Sequence, residues 1–398
     1  MEATVTSLFW ISLVAVASPL LAGFVPRRLV SEVVLLLAFG ILIGPYGLEL
    51  AAMDAPIDLL RELGLAFLFL LAGFEVELRE LTGRAGGTAA ITWLGCLLLA
   101  LGVVALLGVT EVLDAEIAVA IALTSTALGT LLPILKDHRL LKSPIGVRVL
   151  RHGAYGELGP VVAIAVLLGT RGPFASLVVL VAFLLLAIGL ALLSRRLRPE
   201  TSALRRRIDA GAETTGQTPL RLVVLLLTSL VAVAGVFELD IVMAAFAAGF
   251  ILRMAIPDGD HLLESKIEGM AFGMLVPLFF VTSGMGVDPQ AIASRPGAFV
   301  IVVALILAVR GFPVFLVTRF RRPALDTADS AVVGFYAATG LPIIVAVTAV
   351  AVKAGEMSED NASLLIGAGA ATVLLYPLAA VLVLGRTQRE AAAAEPPT

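Results

Sequence analysis

The chain alternates between long apolar runs and short polar or basic breaks. Thirteen runs approach the roughly 20 apolar residues that a helix needs to cross a bilayer core. They lie near 5–24, 29–45, 57–77, 86–109, 115–134, 144–169, 173–194, 219–237, 240–256, 266–286, 297–318, 328–352 and 360–385. Only the stretch at about 195–218 and the tail after Arg386 lie outside this pattern. The pattern predicts an all-α polytopic membrane protein with about 13 transmembrane helices.

Composition agrees. The 398 residues are 59% hydrophobic and 15% charged, and the mean hydropathy is +1.03, whereas soluble domains carry about a quarter charged residues. The single cysteine, Cys96, excludes an internal disulfide. No basic stretch precedes the first run, and Pro26-Arg27-Arg28 follows it, so that run is expected to remain in the protein rather than be cleaved as a signal peptide. The tail at 387–398, which ends in the Ala/Pro-rich "REAAAAEPPT", is expected to be disordered.

Net charge is −3 and says little, but its distribution orients the chain. Basic residues crowd alternate loops. Of 28 Lys and Arg, 23 fall on one side, four on the other (Arg61, Arg171, Arg295 and Lys353), and Arg310 lies within a span. The basic side is expected to be cytoplasmic, which puts the amino terminus outside, the carboxyl terminus inside and the protein in the plasma membrane. The segment 195–218, with Arg195, Arg196, Arg198 and Arg205–Arg207, then reads as a cytoplasmic loop. It could also form a patch for lipid head groups or nucleic acid, but the charge rule alone accounts for it. No nucleic-acid partner is expected.

The chain also compares with itself. "LFLLAGFEVEL" (68–78) matches "FFVTSGMGVDP" (279–289), with Gly73 against Gly284 and Glu77 against Asp288. "LTSTALGTLLP" (123–133) matches "AATGLPIIVAVT" (337–348), with Thr124 against Thr339. Six spans, a linking seventh and six more would place the two halves in opposite orientations, as in many secondary transporters. The expected division is 1–194 for the first repeat and linker, 195–218 for the loop and 219–386 for the second repeat. Hydroxyls, glycine and proline interrupt the fifth span of each half near mid-membrane, with Gly340 and Pro342 in the second half. Broken backbone at that depth is tolerated only inside protein or beside a cavity. Ordinary helix packing would explain either segment alone; matched positions point to a site.

Two charges remain inside spans once the loops are removed. Glu157, in "RHGAYGELGPVVAI", is flanked by Gly156 and Gly159; Arg310 lies in "ILAVRGFPVF". Intramembrane acids are costly and mark ion or proton paths. A lone carboxylate that holds either a proton or a small cation would couple the two flows by competition. Arg310 keeps its charge. It could neighbour the acid, pair with it structurally, or neutralise carbonyl ends at the breaks. The sequence contains no phosphate loop, metal-ligand cluster or nucleophilic triad, and His138, His152 and His261 are scattered. An enzyme acting on lipid would need one of those features, so none is expected, nor any cofactor.

These residues resemble the monovalent cation:proton antiporter family, in the branch that includes NapA and the membrane domains of the Kef potassium systems. The resemblance rests on "FGILIGPYGLEL" (39–50), "LGLAFLFLLAGFEVEL" (63–78), "ALTSTALGTLLPILKDHRLLKSPIG" (122–146) and "LFFVTSGMGVD" (278–288), in order over about 29–385. It implies two crossed broken helices that move against a dimerisation domain, hence a homodimer in lipid. It also implies exchange of Na+ or K+ for H+. By the match the ion-binding acid falls on Glu157, with Thr124, Ser125 and Thr126 on the unwound segment and Gly156 beside the acid. The core basic residue falls on Arg310, and the acid of the third-span motif on Glu75. Thr339, Gly340 and Pro342 mark the second break.

Two departures matter. The family usually has Asp at the main position, preceded by Asp, Asn or Gln, whereas Gly156-Glu157 offers one titrating acid. Electroneutral exchange is therefore expected. The nucleotide-binding domain of Kef systems is absent, so nucleotide regulation is not expected. A cation channel, or a transporter of another solute on the same scaffold, is the rival reading.

Overall fold

Interruptions in the apolar runs set where each helix stops. The computed structural model describes residues 2–24, 31–75, 83–108, 115–137, 139–168, 217–237, 239, 241–256, 260–322 and 324–394, with single positions at 178, 181, 185 and 189. Every regular element among these is helical. In chain order they are α1 (Glu2–Phe24), α2 (Glu32–Ile43), α3 (Ala55–Glu75), α4 (Gly83–Gly108), α5 (Glu116–Leu123), α6 (Leu128–Asp137), α7 (Pro144–Leu167), α8 (Thr218–Val236), α9 (Ile241–Ala255) and α10 (His261–Met270). They continue with α11 (Val276–Met285), α12 (Pro289–Ser294), α13 (Pro296–Ile306), α14 (Phe312–Phe320), α15 (Thr327–Ala337), α16 (Leu341–Lys353) and α17 (Glu359–Ala394).

Among the described residues seven helical stretches are long and apolar enough to cross a membrane, and three shorter apolar ones accompany them. With α3 and α7, these helices cover twelve of the thirteen expected spans. The expected seventh span at 173–194, and the basic loop as far as residue 216, fall outside the described residues apart from the single positions. So do Glu77 and His138.

Past Leu384 the chain stays helical to Ala394, as a continuation of α17. "REAAAA" combines alanine with other strong helix formers, and an already nucleated helix extends through them at little cost. Residues 395–398 lie outside the description.

Two π-turns interrupt the helices. Ala271–Leu275 joins α10 to α11, and Leu307–Gly311 joins α13 to α14. Each ends two residues before a proline, Pro277 and Pro313. A helical proline has no N–H, and its ring crowds the carbonyl four residues back. The preceding turn widens, so that Phe312 N–H reaches Leu307 O and Val276 N–H reaches Ala271 O. Arg310 sits in the second of these turns.

The helices pack as two units. The first contains Met1–Ala15, Ala51–Glu77 and Val161–Thr282; the second contains Val16–Leu50, Leu78–Pro160 and Ser283–Thr398. In the first, α3 and α9 cross closely enough for backbone contact. A β-carbon on Gly249 would stand 1.9 Å from Leu70 O, and one on Gly73 2.1 Å from Phe246 O. Ahead of α3, Asp54 accepts Ile57 N–H at 3.0 Å and the Thr4 hydroxyl. The Thr4 bond, then the backbone bond, holds the Asp54 carboxyl below its usual range. In the second unit an apolar core gathers Leu131, Leu135, Val149, Val314, Val333 and Tyr336 beside the breaks.

Candidate ion-binding site

The first break forms because hydroxyls take over the carbonyls that the next turn would have used. The Thr124 hydroxyl donates to Ile121 O at 2.8 Å, and Ser125 to Ala122 O at 2.7 Å. These local bonds close α5 and compete with further helix. In the second break the Thr339 hydroxyl donates to Tyr336 O in the same way, closing α15. Pro342 falls in the first turn of α16, where its missing N–H leaves no partner unsatisfied.

The two breaks are bonded to each other. Ala127 N–H donates to Thr339 O at 2.7 Å, the Ser125 hydroxyl reaches Gly340 O at 3.3 Å, and the Thr126 hydroxyl donates to Ala337 O. A β-carbon on Gly340 would lie 2.1 Å from Ser125 Oγ, so only glycine admits this approach.

Glu157 lies on α7, 3% exposed. Its Oε1 accepts Leu128 N–H at 2.5 Å, at the first residue of α6. Three successive amides of the first break thus point to three acceptors. Thr126 N–H goes to Gly156 O at 2.9 Å, Ala127 N–H to Thr339 O, and Leu128 N–H to the Glu157 carboxylate. A helix start carries about half a positive charge, so the carboxylate has an opposite partial charge facing it.

Arg310 mirrors that arrangement. It is fully buried, and its Nη2 donates to His152 O at 2.6 Å and its Nε to Thr126 Oγ1 at 3.1 Å, while Nη1 stands 3.9 Å from Cys96 Sγ. Because Thr126 passes its own hydrogen to Ala337 O, the guanidinium reaches the negative end of α15 through one hydroxyl. Among the described residues Arg310 makes no ion pair with a carboxylate. Its oxygen partners are the His152 carbonyl, inside α7, and the Thr126 hydroxyl.

Gly156 explains how the two charges share the space. A β-carbon there would fall 2.4 Å from Thr126 Oγ1 and 2.6 Å from Arg310 Nη2. The guanidinium occupies the volume that a side chain at 156 would need. Thr124, Ser125, Thr126, Gly156, Glu157, Arg310, Thr339 and Gly340 all belong to the second unit and meet around the two breaks, with Pro342 just beyond. Glu75 belongs to the first unit, where its charged neighbour is Glu268.

Sequence reasoning passed over two residues. His152 reads in the sequence as a scattered histidine, yet its carbonyl accepts a hydrogen bond from Arg310. Pro160, inside α7, has no polar side chain to mark it. The signal for Pro160 was its spacing: a helical proline frees the carbonyl four residues earlier, here that of Gly156.

The transmembrane sodium/hydrogen exchanger family model matches residues 12–384. The chain belongs to this family. It is a multi-pass membrane protein. It is 28% identical over 314 residues to the glutathione-regulated potassium-efflux system protein KefC of Klebsiella pneumoniae (strain 342), covering 76% of this chain and 49% of that one. It is 26% identical over 323 residues to cation/H+ antiporter 19 of Arabidopsis thaliana, covering 74% and 39%. This exchanger-family chain therefore spans half or less of the length of those two relatives. The structure of the sodium proton antiporter MjNhaP1 from Methanocaldococcus jannaschii at pH 8 superposes with a TM-score of 0.65 at 17% identity, covering 95% of this chain and 98% of that one. That likeness concerns the fold.

Proposed function

We propose that this chain exchanges a monovalent cation, Na+ or K+, for H+ across the plasma membrane by alternating access. One observation carries the reading: a buried carboxylate, Glu157, is held at the start of a half-helix where two broken helices are bonded together. A proton neutralises that carboxylate; a cation pairs with it; the site cannot satisfy both at once. Thr124 and Ser125 spend their hydrogens on local carbonyls, which leaves oxygen lone pairs to replace part of a cation's water shell. Thr126 is engaged on both sides and serves mainly to connect Arg310 with α15. Glu75 is assigned a supporting role in the first unit.

The same reading includes electroneutral exchange of one cation for one proton. Arg310 fills the place beside Glu157, so no second acid can stand at 156. Each uncompensated charge moved would feel about 2.3 kcal/mol per 100 mV. It also includes an inverted repeat. Gly73 of α3 receives the backbone of α9 at Phe246 O, and Gly284 of α11 receives that of α2 at Leu37 O, 2.3 Å from a β-carbon at 284. In each case the third helix of one half takes the second helix of the other, which supports the repeat. A homodimer in lipid, with the amino terminus outside and the carboxyl terminus cytoplasmic, completes the proposal.

The test is a pH-sensitive dye trapped in proteoliposomes carrying the purified protein. Na+, K+ or Li+ gradients should drive counterflow of protons, at a rate independent of imposed voltage. Voltage-dependent rates at fixed gradients would refute the one-for-one stoichiometry, and single-channel currents would favour the channel reading.

A further inference from the structure

We infer that Pro160 is a positioning residue for the ion site, acting through the backbone carbonyl of Gly156. Pro160 lies inside α7. In a regular helix the N–H of residue 160 would donate to the carbonyl of residue 156. Proline has no N–H there, and its ring pushes that carbonyl aside. The freed Gly156 O accepts Thr126 N–H at 2.9 Å. The next residue of α7, Glu157, accepts Leu128 N–H at 2.5 Å. The acid-bearing helix therefore grips the unwound segment at two adjacent points, one main-chain and one side-chain, and the first exists because of the proline.

The alternative state follows from the same chemistry. With an amide at position 160, the Gly156 carbonyl would find a partner within its own helix. Thr126 N–H would be left buried without an acceptor, which is costly. The unwound segment would shift, and Leu128 N–H would lose its alignment on Glu157. The helix itself would survive, since replacing an internal proline by leucine favours helix. Cation affinity would suffer while folding would not.

This inference rests on the exchange reading for its functional consequence, but the geometry has its own readout. Two variants of the full-length protein differ only in one backbone group. Pro160→Leu restores the amide; incorporation of the α-hydroxy analogue of leucine at 160, by nonsense suppression, keeps the leucine side chain but has an ester oxygen in place of the N–H. Amide hydrogen exchange by mass spectrometry on peptides covering 122–128 reports the grip on the unwound segment. Dye-loaded proteoliposomes report the apparent KM for the cation. Pro160→Leu should lose protection over 122–128 and raise the apparent KM about tenfold, the scale of one buried hydrogen bond. The hydroxy analogue should restore both. Wild-type protection and KM in Pro160→Leu, or a hydroxy analogue that behaves like leucine, would overturn the inference. If the wild-type protein exchanges no cation, the proposed function fails, and the hydrogen-exchange comparison still decides on Pro160.

Discussion

Glycine is used in two ways in this molecule. At the α3–α9 crossing of the first unit, Gly73 and Gly249 make room for a neighbouring main chain, and the closest atoms are the carbonyl oxygens of Phe246 and Leu70. At the breaks of the second unit, Gly156 and Gly340 make room for polar side chains, and the closest atoms are the hydroxyls of Thr126 and Ser125 and the guanidinium of Arg310. The same missing β-carbon admits main chain in one place and the side chains of the proposed ion site in the other. Substitutions in the two regions should therefore fail differently, the first through stability and the second through exchange.

The largest effect is expected from Glu157→Gln, which should insert and fold but show no cation-driven proton movement in dye-loaded vesicles. Wild-type rates in that variant would remove the acid from the centre of the mechanism. Next comes Gly156→Ala. Its β-carbon must displace Thr126 or Arg310, so the exchange rate should fall at least about tenfold, an expectation on the scale of losing one charge-assisted hydrogen bond. A neutral outcome there would erase the contrast between the two kinds of glycine.

Arg310→Lys sharpens the comparison further. Lysine keeps the charge but lacks the planar fork, so it cannot reach the Thr126 hydroxyl and the His152 carbonyl together. Exchange should drop by an intermediate factor, with a shifted pH profile measured across the same vesicle series. Gly73→Ala should do the opposite. It should lower stability by about 1–3 kcal/mol through overpacking, read as a lower unfolding temperature in detergent, and leave the apparent KM of the surviving protein unchanged. The smallest effect is expected for Cys96→Ser. At 3.9 Å the sulfur is a weak partner for Arg310, and exchange should change by less than about twofold if that contact is as weak as thiol acceptors usually are.

Much of this was legible in the residue order. Hydropathy located twelve of the spans, because lipid imposes one length and one polarity on every helix. The breaks were legible as well: Thr124-Ser125-Thr126 and Thr339-Gly340-Leu341-Pro342 combine hydroxyls that rival the helix for carbonyls with a proline that suits only a helix start. Glu157 stood out as a charge among apolar residues. What could not be read was mostly backbone. The π-turn that carries Arg310 depends on Pro313 three residues later, and the grip of α7 on the first break depends on Pro160. In both cases a proline acts on a carbonyl several residues away, and no pattern of side chains records which donor comes to that carbonyl.

The hydroxyl seals at Thr124, Ser125 and Thr339 have one further consequence. A gap stitched shut by its own side chains does not rely on cargo to keep its shape. If the proposed exchange operates here, an arriving ion would find a berth already standing, and none of its binding energy would be diverted to assembling one. The pace of each crossing would then be set by moving the loaded helices, with no step of coil and recoil at either bank.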